Sequence, residues 1–178
     1  MKITIVAGSN RREATSTKLC RYVEKVLTER GVQVELYDLY EKPLPFYCAD
    51  DEQVGESVQA WKEALNGADA IVLATPEFHG SLSGVLKNAL DFTGFDQFDG
   101  KPVLAMSSAG GAVGVSSLQQ LQTIVRNVHG VNCSEWISIG GAQRTFTAEG
   151  EPEDAKTRER ILRTVQYFVQ MTEKLRHS

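Results

Sequence analysis

Apolar positions along this chain follow two patterns that take turns. Residues 3–7, 70–74 and 102–107 are short runs in which nearly every position is apolar, as in strands covered on both faces. Residues 32–39 alternate instead, with Val32, Val34 and Leu36 on one side, and residues 131–139 contain a last strand. Between these runs the apolar period lengthens to that of a helix. Leu19, Val23, Val26 and Leu27 mark a helix over residues 16–30, closed by Gly31; Val58, Trp61 and Leu65 mark one over 52–66, closed by Gly67. Leu82, Val85, Leu86, Ala89 and Leu90 share a third helix face, and Leu118, Leu121, Ile124, Val125 and Val128 a fourth, over 115–128. Ile161, Leu162, Val165, Phe168 and Val169 form the apolar stripe of a terminal helix over 154–175. Residues 96–101 read as a polar loop, and 146–155 as a polar, mobile one.

Strands alternating with helices predict an α/β doubly wound sheet of five parallel strands in the order 2-1-3-4-5. In such a sheet, ligands bind outside the carboxyl ends of the strands. Three loops of unusual composition meet at that edge. After the first strand comes Gly8-Ser9-Asn10-Arg11, with Thr15, Ser16 and Thr17 opening the next helix. Hydroxyls, a guanidinium and the positive end of a helix together make an anion site. The plain alternative is an N-cap at Ser16 beside solvated arginines. Neither the Gly-Lys-Ser/Thr of a Walker loop nor the Gly-x-Gly-x-x-Gly of a dinucleotide fold is present.

The second loop is Pro76-Glu77-Phe78-His79-Gly80-Ser81, with Ser81 or Ser83 as the cap of the helix that follows. His79 reads most simply as a side chain bonded to nearby backbone, and Lys87 with Asp91 as a helix-surface pair. Third comes Ser108-Ala109-Gly110-Gly111-Ala112-Val113-Gly114, whose glycines permit close approach of backbone to a ligand. A phosphate loop and two ring-edge loops suit FMN. No nucleophile beside a base, metal cluster or carboxylate pair stands out, so no catalytic side chain is assigned.

Composition narrows the picture further. With 178 residues, residues 1–178 fit one domain, and 42% apolar with 24% charged residues is ordinary for a globular protein. A net charge of −4 leaves no basic footprint for nucleic acid. No apolar run approaches the roughly 18 residues of a membrane helix. The first apolar run is too short for a signal core, so a cytoplasmic location is expected. Cys20, Cys48 and Cys133 are far apart in sequence and read as buried reduced thiols, which excludes a disulfide framework or structural metal.

Pro76-Glu77-Phe78-His79-Gly80-Ser81 followed by Gly84-Val85-Leu86-Lys87-Asn88-Ala89-Leu90-Asp91 resembles the second flavin loop of the NAD(P)H-dependent FMN reductases. These are flavodoxin-like enzymes with quinone, chromate and azo-dye reductases among them. Gly8-Ser9-Asn10-Arg11 is similar to their phosphate loop, though the helix hydroxyls lie further from Arg11 than in the commonest version. Which of Thr15, Ser16 and Thr17 touches the phosphate therefore stays open. The resemblance covers nearly the whole chain.

It implies FMN bound by Ser9, Arg11, Ser16 and Thr17 at the phosphate, and by Pro76, Glu77, Phe78, His79, Gly80, Ser108, Ala109, Gly110 and Gly111 around the ring. The implied reaction is ping-pong transfer of hydride from NADPH, then of two electrons to a quinone, azo, flavin or chromate-type acceptor. A homodimer or homotetramer is also implied, with residues 44–47 near the partner. An electron-carrier flavodoxin or an FMN-binding sensor is the alternative.

Overall fold

The computed structural model describes residues 1–51 and 55–176. Its strands are β1 (Lys2–Ala7), β2 (Gln33–Asp38), β3 (Ala70–Pro76), β4 (Pro102–Ala109), β5 (Val131–Asn132) and β6 (Ile137–Gly140). The helices are α1 (Thr15–Glu29), α2 (Glu56–Asn66), α3 (Gly84–Asp91), α4 (Phe95–Phe98), α5 (Val115–Asn127) and α6 (Ala155–Arg176), with a 3-10 turn over Gly141–Arg144. All strand pairs are parallel, in the order β2-β1-β3-β4-β5, with β6 also on β4. The fifth position of the expected sheet is thus one interrupted strand: β5 pairs with Pro102 and Val103, β6 with Met106 to Ala109. The break is tolerated at the sheet edge, where a strand has only one neighbour and leaving the ladder forfeits one row of bonds.

The all-apolar strands divide their side chains between two layers, as a pleat requires. Ala70, Val72 and Ala74 of β3 face a core with α1 and α6, built on Leu19, Val23, Leu27, Ile161 and Phe168. Ile71 and Leu73 face the other core, with Trp61, Leu65, Leu86, Leu118 and Leu121. Trp61 is fully buried; its Nε1 donates to the Ala89 carbonyl of α3 at 2.8 Å, and its ring meets the edge of Tyr37. Among the described residues, no helix is long and apolar enough to cross a membrane.

Several local expectations are revised. Residues 96–101 are not all loop: a short helix puts Phe98 into the second core, where it is 1% exposed. Residues 146–155 close on themselves, with Thr147 N donating to Glu151 O and Glu153 N to Thr145 O. Lys25 reaches across to Glu151 at 2.8 Å and ties this loop to α1. Cys20 and Cys133 are buried thiols as expected, and burial pushes both upward in pKa, but Cys48 is exposed. The start expected for the second helix, residues 52–54, lies outside the described residues.

Candidate functional site

At the end of β1 the chain turns so tightly against β3 that only glycine fits. Gly8 N donates to Ala74 O at 2.8 Å, and a Cβ on Gly8 would lie 2.5 Å from that oxygen. Ser83, the N-cap of α3, accepts from Leu86 N at 3.2 Å and donates its hydroxyl to Gly8 O, so the first and second loops are joined. Beyond this turn Ser9 is fully buried, and its Oγ accepts from Arg11 N at 3.2 Å. The plain reading of Ser16 fails here. Helix α1 starts at Thr15 with Ala14 as N-cap and carries no side-chain cap. Ser16 Oγ and Thr17 Oγ1 are buried and have no hydrogen-bond partner in the structure. An uncapped helix start with a buried orphan hydroxyl is a strong anion site.

The second loop is held by exchanges with its neighbours. Thr75 Oγ1 accepts from Ser83 N at 2.9 Å, and Glu77 N donates to Ser108 O at 2.9 Å. Phe78 and Ser81 exchange both backbone bonds around His79 (φ 53°) and Gly80 (φ 73°). Two left-handed central residues make a type I′ turn, which accounts for glycine at the second and for histidine, one of the types tolerant of that region, at the first. Gln120 of α5 clamps the turn, donating to Gly80 O at 3.0 Å and accepting from Ser81 Oγ at 2.7 Å. Lys87 and Asp91 form the expected helix-surface pair at 2.6 Å.

Glu77 has a use that periodicity does not reveal. Its Oε2 accepts from Ser117 N at 3.0 Å and Ser117 Oγ at 2.9 Å, so the carboxylate sits on the N-terminal turn of α5. Removing it leaves a donor of that turn without its partner. Glu77→Ala is therefore expected to destabilise the fold by about 1–3 kcal/mol. Urea denaturation reads this directly; an unchanged midpoint would show that the cap contributes nothing.

In the third loop, Ser107 Oγ donates to Gly114 O at 2.8 Å and Gly114 N to Ser138 Oγ at 2.9 Å, which pins the far end to β4 and β6. Residues 110–113 between these anchors are exposed. They rest on Gly140, where a Cβ would run into the carbonyl oxygens of Gly111 and Ala112.

These loops enclose a cavity of about 240 Å³ at the carboxyl ends of β1, β3 and β4. Ser9, Arg11, Ser16, Pro76, Glu77, Phe78, Ser108 and Gly110 all line it. Thr17 instead faces a neighbouring cavity beside Arg12, Lys18 and Phe146. His79 and Gly80 form the turn tip, Ala109 is buried at the end of β4, and Gly111 lies against Gly140; none of these four lines the cavity. A larger cavity of about 400 Å³ lies elsewhere, between residues 45–51 and the end of α3. It shares no lining residue with the cavity that holds the orphan Ser16 hydroxyl, so it is not the candidate site.

Two lining residues, Ala14 and Arg144, were missed by sequence reasoning, and only the second is charged. Arg144, last of the 3-10 turn, reaches the cavity and donates from Nη1 to Ala109 O at 3.3 Å. A cation just past Gly140-Gly141, at the same sheet edge, was the available signal.

A family model for NADPH-dependent FMN reductase matches residues 1–144. The chain belongs to the NADPH-dependent FMN reductase family. Over 136 residues it is 35% identical to an FMN-dependent NADPH-azoreductase of Staphylococcus aureus, covering 74% of this chain and 72% of the relative. Among solved structures it is similar to FerB, a flavoenzyme NAD(P)H:(acceptor) oxidoreductase from Paracoccus denitrificans, with TM-score 0.81, 26% identity and 97% of each chain covered. An NADH:FMN oxidoreductase, EMOB, shares the fold at TM-score 0.78 and 18% identity, over 96% of this chain and 89% of that one. The protein is thus a flavodoxin-like oxidoreductase of an FMN- and NADPH-dependent family. The lining fits the phosphate of FMN: the uncapped start of α1, the buried Ser16 hydroxyl and Arg11 offer what a phosphate monoester takes up.

Proposed function

We propose that this FMN reductase family member passes electrons from NAD(P)H to a small acceptor of the quinone, azo, flavin or chromate type. The observation that carries the reading is the buried, unpartnered Ser16 hydroxyl at the uncapped start of α1, facing the same cavity as Arg11. Ser9, Arg11 and Ser16 hold the phosphate of FMN in this reading, and Pro76, Glu77, Phe78, Ser108 and Gly110 edge its ring; Thr17, His79, Gly80, Ala109 and Gly111, also expected at the flavin, lie outside the cavity. When bound, FMN would supply the redox chemistry, hydride uptake from the nicotinamide and delivery of two electrons to the acceptor. The chain's own residues bind and orient. No side chain is needed as a strong base, and His79 acts through its place in the turn. Donor and acceptor would use one opening of the cavity in turn, which would make the kinetics ping-pong. The second subunit of a homodimer or homotetramer covers part of that opening in this reading, with the segment 44–47, in which Phe46 is 94% exposed, near the partner.

Steady-state oxidation of NADPH by the FMN-loaded protein, with a quinone and an azo dye as acceptors, tests this directly. Parallel double-reciprocal lines are expected with both. Intersecting lines would remove the shared opening, and no NADPH oxidation with any acceptor would return the electron-carrier reading.

A further inference from the structure

Arg144 is a cation in an unfavourable place. Its Nε is buried without a hydrogen-bond partner, and its guanidinium makes one long bond, from Nη1 to Ala109 O at 3.3 Å. No carboxylate pairs with it among the described residues. Glu77 lines the same cavity, but its Oε2 serves the start of α5. Arg11 and the positive end of α1 line the cavity as well, so Arg144 adds charge where the potential is already positive. A half-buried guanidinium with an orphan donor calls for an anion.

The fold decides which anion. The Arg144 guanidinium rests on the third loop, with Nη1 bonded to Ala109 O and 3.5 Å from where a Cβ on Gly110 would lie, and it lines one cavity with the first turn of α1. The segment after it lies along α1, with Phe146 beside Thr17 and Lys18 and with Glu151 on Lys25 at 2.8 Å. Within the cavity it shares the lining with Thr15 and Ser16, the first turn of α1. Its backbone is set by β6, by the close contact of Gly140 with residues 111–112, and by the bond from Glu153 N to Thr145 O at 3.0 Å. A phosphate monoester near neutral pH carries about −1.5 to −2 charges, more than Arg11 alone can balance.

We propose that Arg144 is a second guanidinium of the phosphate pocket, so that the FMN phosphate is held between Arg11 on the first loop and Arg144 on the turn after β6. This rests on the FMN reading above. It places part of the cofactor's anchor at the far end of the sheet from the β1–α1 loop in sequence, on a segment bound to α1 through Lys25 and Glu151. Arg144 binds here; it takes no part in electron transfer.

Flavin release on dilution of the loaded protein, followed by flavin fluorescence, provides the test. FMN and riboflavin, which lacks the phosphate, are compared in the wild type, Arg144→Gln and Arg144→Met, the last keeping the aliphatic stem. Loss of one charge-assisted contact is expected to weaken FMN by about ten- to a hundredfold, with riboflavin unchanged. Equal weakening of both flavins would put Arg144 at the ring or in the scaffold and overturn the assignment. So would unaltered FMN affinity, or failure of both variants to fold. Wild-type protein that binds no FMN would instead remove the parent reading.

Discussion

Gly140→Ala is expected to lower FMN affinity by on the order of a hundredfold while leaving the sheet folded. The new Cβ would collide with the carbonyl oxygens of Gly111 and Ala112. Gly140 itself has φ −147°, an extended conformation that alanine adopts without strain. The whole cost therefore falls on the loop, whose residues 110–113 are exposed and can move away. Moving them displaces backbone proposed to edge the flavin ring. Flavin absorbance per chain gives occupancy, and far-ultraviolet circular dichroism checks the fold. Normal occupancy at micromolar FMN would show that the loop is not part of the site.

The largest effect on stability is expected from Trp61→Ala, at about 3–5 kcal/mol. Trp61 is fully buried between α2 and α3, beside Tyr37, and donates to Ala89 O at 2.8 Å. Truncation removes that bond and opens a cavity lined by Leu65, Leu86 and their neighbours, which the layer against β3 cannot close. At roughly 2–4 °C per kcal/mol for a chain of this size, the melting temperature should fall by roughly 6–20 °C. Trp61→Phe keeps most of the volume and should cost far less. A melting curve for Trp61→Ala close to wild type would mean that the second core does not depend on this side chain.

Periodicity was enough for the alternation of strands and helices, though not for the break in the fifth strand or the short helix α4. Strands β1, β3 and β4 are covered on both faces, so their apolar runs stand out, and each helix stripe has one layer to meet. In the second loop Gly80 is legible for a local reason, its φ of 73°, whereas Gly8 and Gly114 are required by the close approach of Ala74 and Ser107. Tertiary structure decided what depends on distant partners. Ser16 has the residue type of a cap, but Ala14 occupies the capping position, and the hydroxyl is left facing the cavity. Glu77 is used 40 positions away, on Ser117, and Arg144 meets Ala109 35 positions back. Residues 146–155 look mobile from composition, yet they close through a backbone ladder and the Lys25–Glu151 pair, 126 positions apart. A hydrophobic period reports which way a side chain faces within its own element. Where a polar side chain finds its partner depends on which elements the fold brings together, and a local pattern carries no record of that.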